Sequence, residues 1–216
     1  MDKPTLKKIR LIVPGAIILV CMLPFGLSNL ETISKAVPDS VFKIVLFILS
    51  AFLGVVYYSF NIRNLLWREV VHTCHRNIRA RMIDPIGHEA AYQEVTKHLS
   101  DKEMMNIFYT IVDNDTSLTD RANDVRSNGA VLTSIIDAII IIYFFAIVYI
   151  VTFLIVRASP FVWFTIIALL LQFVLWPMKR RVLQKHIVHE DEQLGMINQL
   201  YRTRVKTLLM NLERIE

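Results

Sequence analysis

The sequence predicts an all-α protein: a polytopic membrane protein with four transmembrane helices and helical cytoplasmic extensions. Hydrophobic residues make up 54% of the 216-residue chain and charged residues 20%, against roughly 25% charged residues in a typical soluble domain. The apolar residues form four long blocks, and the longest, residues 130–156, carries a single charge, Asp137. About 20 apolar residues suffice for a helix to cross a bilayer.

The four blocks divide the chain into five segments. These are a basic N-terminus (1–10), a first transmembrane hairpin (11–60), a cytoplasmic helical insert (61–129), a second transmembrane hairpin (130–178) and a cytoplasmic amphipathic helix (179–216). The spans are predicted at residues 11–30, 41–60, 130–156 and 161–178. No internal repeat relates the two hairpins, which argues against an inverted-repeat transporter.

Proline and small residues shape the first hairpin. Pro14 and Pro24 interrupt the first apolar block, so its helix is expected to end near Pro24 and to be followed by an interfacial segment. The alternative is an unwound ion or ligand site. Ser50 and Gly54 in the second span are small residues four positions apart, a spacing that permits close helix packing.

The insert and the C-terminal segment are predicted to be helical. No helix breaker follows Phe60, so we expect one helix over residues 41–83, ended by the Asp-Pro-Ile-Gly sequence at 84–87, and a second over 88–99. Ser100 and Glu103 form a capping-box pattern that opens a helix to about Val112. Residues 113–128 are typical of a loop or frayed helix. Over residues 182–216 apolar positions recur every three or four residues, which predicts one long helix.

The basic residues predict the topology. The segments assigned to the cytoplasm hold 21 of the 24 Lys and Arg residues, and the outer turns with their span ends hold three: Lys35, Lys43 and Arg157. Cytoplasmic loops of membrane proteins carry such an excess. We therefore expect a multi-pass protein of the bacterial inner membrane with both termini in the cytoplasm.

Two polar residues within the apolar blocks are candidates for function. Residues 138–156 form a helix of about 28 Å, enough to span a bilayer. Asp137 is therefore expected at the cytoplasmic interface in a structural role, with a proton relay or ion site as the alternative. Gln172 is expected to hydrogen-bond to a neighbouring helix.

No pattern predicts an enzyme, a cofactor or a metal centre. The chain has no P-loop, GxSxG or HExxH motif. Two histidine pairs with a spacing of three residues make an intersubunit metal site conceivable, although surface histidines are the favoured interpretation. The pairs are His72 with His75 and His186 with His189.

The amphipathic segments predict a soluble protein partner, because exposed apolar stripes usually mark interfaces. The arginines of residues 61–81 favour membrane lipid or an acidic protein. Direct nucleic-acid binding is not expected, since only Trp67 lies among them. The expected partner contacts are Arg68, Arg76, Arg79, Met104, Ile107, Phe108, Ile111, Leu208 and Leu212.

The plan of two membrane hairpins around the insert 61–129, followed by a helical tail, resembles the small four-span membrane subunit of the bacterial Kiwa anti-phage defence system. The resemblance covers the architecture of the whole chain. It implies a homo-oligomeric membrane sensor that recruits a cytoplasmic, DNA-binding effector, and it assigns no individual residue.

These observations together predict a homo-oligomeric scaffold or sensor subunit of the inner membrane that recruits a soluble cytoplasmic partner. An ion channel or pore-forming effector is the alternative, with Asp137 and Gln172 facing water in a ring of subunits. A proton-coupled carrier is disfavoured, because the spans hold few polar residues.

Overall fold

The computed structural model describes residues 3–36 and 38–213, and almost all of them are helical. The α-helices are α1 (Lys3–Ala36), α2 (Asp39–Ser59), α3 (Asn64–Ile78), α4 (Asp84–Gly87), α5 (Gln93–His98), α6 (Asp101–Val112), α7 (Thr116–Val156), α8 (Pro160–Leu200) and α9 (Arg202–Glu213). A π-helical segment (Arg79–Ile83) joins α3 to α4, and a 3-10 turn (Ala90–Tyr92) precedes α5. No strand occurs in the described ranges, which confirms the all-α class.

Within the part of the chain that the structure describes, four helices are long and apolar enough to cross a membrane, as the sequence predicted. They contain the stretches Lys8–Gly26, Ser40–Ser59, Ala122–Val156 and Pro160–Leu200. Large apolar side chains on these helices are exposed, such as Phe52 at 62% and Phe173 at 78%. Contiguous exposed apolar surface of this kind is rare on soluble monomers, and it suits contact with lipid.

The chain divides into two compact units. Among the described residues, the hairpin unit consists of 3–36, 38–67 and 130–182, and the insert–tail unit consists of 68–129 and 183–213. Helices α7 and α8 each contribute residues to both units.

Helices α1 and α2 of the hairpin unit approach each other closely at two glycines. A Cβ atom added to Gly15 would overlap the carbonyl oxygen of Ser50, and one added to Gly54 would overlap that of Leu11. The Ser50 hydroxyl donates a hydrogen bond of 3.1 Å to the carbonyl oxygen of Ile12. The predicted close packing through Ser50 and Gly54 is therefore confirmed, and Gly15 is its counterpart on α1.

Helix α1 continues through Pro14 and Pro24 to Ala36, so the predicted end near Pro24 is wrong. Each proline removes only one backbone hydrogen bond from a helix. Unwinding in apolar surroundings would leave several backbone groups without partners, and each unpaired group is costly there. The continuous helix is therefore the arrangement that leaves fewer groups unsatisfied.

The predicted continuous helix over residues 41–83 is also wrong, because it is interrupted after Ser59. Asn61 adopts a left-handed conformation with φ of 51°. Its carbonyl oxygen accepts a hydrogen bond of 3.0 Å from the Asn64 N–H, where α3 begins. Asparagine tolerates this conformation better than most residues with a Cβ atom. A single asparagine without a neighbouring glycine or proline is a weak breaker signal, which is why the sequence did not reveal the turn.

Other boundaries in the insert and tail differ from prediction. The helical path continues past Ile83 into α4, because Pro85 lies in the first turn of α4, where a missing N–H is tolerated. Between residues 88 and 99 the α-helix is restricted to α5, after the 3-10 turn. Residues 116–128 belong to α7 rather than to a loop, and the tail is broken at Tyr201 between α8 and α9.

The insert–tail unit has a hydrophobic core of its own. Its α6 begins at the predicted capping box, in which the Ser100 hydroxyl accepts from the Glu103 N–H and the Glu103 carboxylate accepts from the Ser100 N–H. The apolar face of α6 and the apolar stripe of the tail lie in the same core. Its buried members are Ile78, Met82, Ile83, Ile86, Leu99, Met104, Ile107, Phe108, Ile111, Val112, Leu118, Ala122, Leu194, Ile197, Val205 and Leu209.

Candidate functional site at the Arg63–Asp137 ion pair

Asp137 is the centre of a buried polar cluster in the hairpin unit. Its side chain is 1% exposed and pairs with Arg63, whose side chain is 12% exposed. The guanidinium binds both carboxylate oxygens, with Nε at 2.8 Å from Oδ1 and Nη2 at 2.7 Å from Oδ2. The Tyr57 hydroxyl donates to Oδ1 at 3.1 Å. Such a bidentate, charge-assisted pair is among the strongest polar contacts in proteins.

The turn at Asn61 is what positions Arg63 within the cluster. Tyr57 lies in the last turns of α2, and Arg63 lies in the turn between α2 and α3. The Arg63 Nη2 atom also donates to the carbonyl oxygen of Arg10 at 3.2 Å, so the same guanidinium contacts both α1 and α7. This side chain therefore links the turn between α2 and α3 to both α1 and α7.

A polar pocket adjoins the ion pair. It has a volume of about 160 Å³. The Nε atom of Arg10 is buried and has no hydrogen-bond partner among the described residues, and the Arg63 guanidinium lies 5.5 Å from the centre of the Tyr58 ring. The residues that line the pocket are Arg10, Tyr57, Tyr58, Asn61, Arg63, Asn64, Trp67 and Thr133.

The sequence missed Arg10, Tyr57 and Arg63 as members of this site. A usable signal was present, since Arg10 is the last charged residue before the first apolar block and Arg63 is the first after the second. The expected topology places both at the same membrane face as Asp137. Oppositely charged residues at the same depth in neighbouring membrane helices are candidates for an ion pair.

Gln172 contacts its own chain. Its side-chain amide nitrogen donates to the carbonyl oxygen of Ile139 at 2.9 Å, which links α8 to α7 and confirms the expected contact between helices. Its Oε1 atom is buried without a partner among the described residues.

An apolar cleft of about 600 Å³ lies between α1, α7 and α8 of the hairpin unit. Its walls include Val20, Phe145 and Phe164. Hydrocarbon chains suit such a lining, but no polar group at the cleft selects one occupant.

The residues that were expected to contact a partner do not form one continuous surface. Arg68 and Arg76 are exposed. Arg79 instead donates to the carbonyl oxygens of Thr96 and Leu99 at the C-terminal end of α5, where unpaired carbonyl groups attract a cation. Its role in this structure is therefore within the chain.

The apolar partner contacts need a correction as well. Met104, Ile107, Phe108 and Ile111 are all buried, at 0%, 4%, 6% and 0% exposure, because the tail packs against the face of α6 that was expected to meet a partner. Leu208 is partly buried against the same core. The side chain of Leu212 lies outside the part of the chain that the structure describes.

A polar network links the insert to the tail within the insert–tail unit. The Asn77 amide donates to Glu190 at 2.9 Å and to Asp191 at 3.0 Å. Arg81 pairs with Asp191 at 3.3 Å. Glu190 is 4% exposed, so a carboxylate with one amide donor is held in the interior beside a second acid.

One histidine of each pair lies against a carboxylate. His75 contacts Asp101 at 3.0 Å, and this hydrogen bond is the main cause that lowers the pKa of Asp101. His189 lies 3.8 Å from Glu192. Among the described residues, no three His, Cys, Asp or Glu side chains are grouped closely enough to hold a metal ion.

Comparison with known proteins gives no matching family model, no similar curated protein and no similar solved structure. The fold and the contacts within the chain are therefore what indicate its function.

Proposed function

We propose that this chain is a multi-pass protein of the bacterial inner membrane that acts as a homo-oligomeric scaffold or sensor subunit, with both termini in the cytoplasm. In this role it presents the insert–tail unit to a soluble cytoplasmic protein. The observation that carries the proposal is the shared core of the insert and the tail, which are separated in sequence by an entire apolar hairpin. A chain that served only to cross the membrane would not need a second folded unit.

The exposed basic face of α3 supports an acidic partner. Arg68, His72 and Arg76 are four positions apart, so they share one side of the helix, and all three are exposed. Since the apolar faces of α6 and the tail are buried in the unit itself, this basic face is the part of the expected contact surface that is still accessible. Charge complementarity governs the association rate and specificity of such contacts.

We also propose a place in anti-phage defence, on the resemblance of the four-span plan to the Kiwa membrane subunit. The channel alternative is not favoured by the contacts of its two key residues. Asp137 is paired with Arg63, and Gln172 donates to a backbone carbonyl of its own chain. Asp137, whose two oxygens accept hydrogen bonds within the chain, is poorly placed to line a water-filled pore. The Gln172 side chain is buried, although its Oε1 atom has no partner among the described residues.

Site-specific crosslinking tests the proposal. A photoreactive amino acid at Arg68 or at Arg76 in the full chain, expressed in its host, is expected to crosslink one and the same soluble protein. The same probe at Thr110, exposed on α6, is the control. In a third experiment the photoreactive amino acid replaces His72. Adding the double substitution Arg68→Glu/Arg76→Glu to that chain is expected to abolish crosslinking of the soluble protein, while adding Lys97→Glu on α5 leaves the crosslinking intact. Crosslinks confined to copies of this chain would contradict the proposed recruitment.

A further inference from the structure

The polar pocket beside the ion pair carries more positive charge than the pair itself neutralises. Arg10 and Arg63 both line the pocket, whereas the ion pair with Asp137 is made by Arg63. The two oxygens of Asp137 are occupied by Arg63 and Tyr57. The second guanidinium, that of Arg10, acts on Asp137 electrostatically, but no hydrogen bond or ion pair among the described residues joins it to this acid.

The Nε atom of Arg10 adds a second, independent observation. It is buried and has no partner among the described residues. A buried donor without an acceptor costs roughly 1–3 kcal/mol, and more when the group is charged. A group that is retained under such a penalty is a candidate for binding an external acceptor.

The other lining residues match the chemistry of a lipid headgroup. Asn61 and Asn64 supply amides that can donate to phosphate or hydroxyl oxygens. Tyr58 and Trp67 are aromatic groups with a polar end, the type enriched at the level of the headgroups. The pocket also lies where α2 ends and α3 begins, at the end of an apolar helix that is long enough to span a bilayer.

We propose that this pocket binds the phosphodiester of an anionic phospholipid from the cytoplasmic leaflet, with Arg10 as the principal charge and Asn61, Asn64 and Trp67 as flanking contacts. The inference rests on the proposed membrane topology. It does not require the recruited protein partner, so the two proposals can fail separately.

Native mass spectrometry of the full chain in detergent tests the site. Phosphatidylglycerol, phosphatidylcholine and inorganic phosphate are titrated separately. The wild-type chain is expected to bind phosphatidylglycerol at least about fivefold more tightly than phosphatidylcholine, the ratio that corresponds to about 1 kcal/mol per basic residue near an anionic surface. Arg10→Gln is expected to remove this preference, and Arg10→Lys, which keeps the charge, to retain most of it.

Arg180→Gln is the matched control, since Arg180 is exposed near the cytoplasmic end of the fourth apolar block and does not line the pocket. Equal binding of the two lipids by the wild-type chain would overturn the proposal, and so would an unchanged preference in Arg10→Gln or an equal loss in Arg180→Gln. Displacement of phosphatidylglycerol by millimolar inorganic phosphate would show a site for free anions and overturn the lipid assignment. If Arg10→Gln does not fold, a loss of the preference in a folded Arg10→Lys overturns the role of charge.

Discussion

The carboxylate of Asp137 shows how one residue in an apolar helix is made compatible with its surroundings. Its oxygens accept three hydrogen bonds, two from Arg63 and one from Tyr57. A buried charge is tolerated when it is paired and its remaining lone pairs are satisfied. The expected structural role of Asp137 agrees with these contacts, and they identify the partner that the sequence did not.

Removal of one charge from this pair is expected to be strongly destabilising. Asp137→Asn leaves the Arg63 guanidinium buried without a counter-charge, so the free energy of unfolding should fall by about 3–5 kcal/mol. Denaturant unfolding of the full chain in detergent micelles measures the change. Asp124→Asn, at an exposed position of the same helix, should be nearly neutral. The apolar double variant Arg63→Met/Asp137→Leu should recover at least half of the loss, and wild-type stability of Asp137→Asn would contradict the buried pair.

Glu190 presents the opposite case, a buried acid with no cation paired to it among the described residues. It accepts from Asn77, while the neighbouring Asp191 has Arg81 as its cation. Glu190→Gln keeps an acceptor for Asn77 and removes the cost of burying a charge, so we expect the unit to gain about 1 kcal/mol at neutral pH. Asp191→Asn, which loses an ion pair, should show no such gain. Thermal unfolding followed by circular dichroism distinguishes the two, and a destabilised Glu190→Gln would show that the charge itself is required.

At the scale of the elements, local backbone geometry decides which helices meet. The left-handed turn at Asn61 ends α2 and directs Arg63 towards α1 and α7. The glycines at positions 15 and 54 let the backbones of α1 and α2 come into contact. Both features depend on the steric effect of a Cβ atom, which disfavours positive φ at position 61 and would block the helix contact at positions 15 and 54.

Substitution at Asn61 tests the turn. Asn61→Gly should keep or slightly raise stability, because glycine adopts positive φ without steric cost. Asn61→Val should lower the free energy of unfolding by about 1–2 kcal/mol, the cost of a left-handed conformation for a residue with a Cβ atom. Equal stabilities of the two variants, measured by denaturant unfolding, would argue for a straight helix through position 61.

Substitution at Gly54 tests the contact between α1 and α2. A methyl group in Gly54→Ala would overlap a backbone atom of Leu11, which cannot move aside as a flexible side chain would. We expect a lower melting temperature of the full chain in micelles. Gly195→Ala is the control, because no atom lies within 4 Å of a Cβ placed there. An unchanged melting temperature in Gly54→Ala would contradict the close approach.

At the scale of the whole molecule, the proposed topology is the property on which both functional proposals depend. Reporter fusions are expected to place Ala36 and Ser159 outside the cytoplasm, since both follow an apolar block that leads away from a basic segment. Fusions at Lys102 and at the C-terminus should report cytoplasmic. A cytoplasmic signal at Ser159 would contradict the arrangement of the second hairpin.

Patterns that extend over many residues were predicted well. The four apolar blocks required long helices whatever their neighbours, and the capping box at Ser100 is a local signal that α6 obeys. Features that depend on one residue were missed or assigned wrongly. Asn61 gave no clear breaker signal, and Pro24 gave a breaker signal that α1 does not follow.

The amino-acid sequence by itself determined the all-α class of this protein and the four long apolar helices of its described part, because hydrophobic block length and periodicity are summed over many side chains. Only the tertiary structure decided which residues meet. It paired Arg63 with Asp137, and it placed the apolar face of α6 in the core shared with the tail. An amphipathic stripe specifies that a face must be covered but not by what, and a lone charge specifies that it needs a partner but not which one. Both answers depend on contacts between residues far apart in the chain.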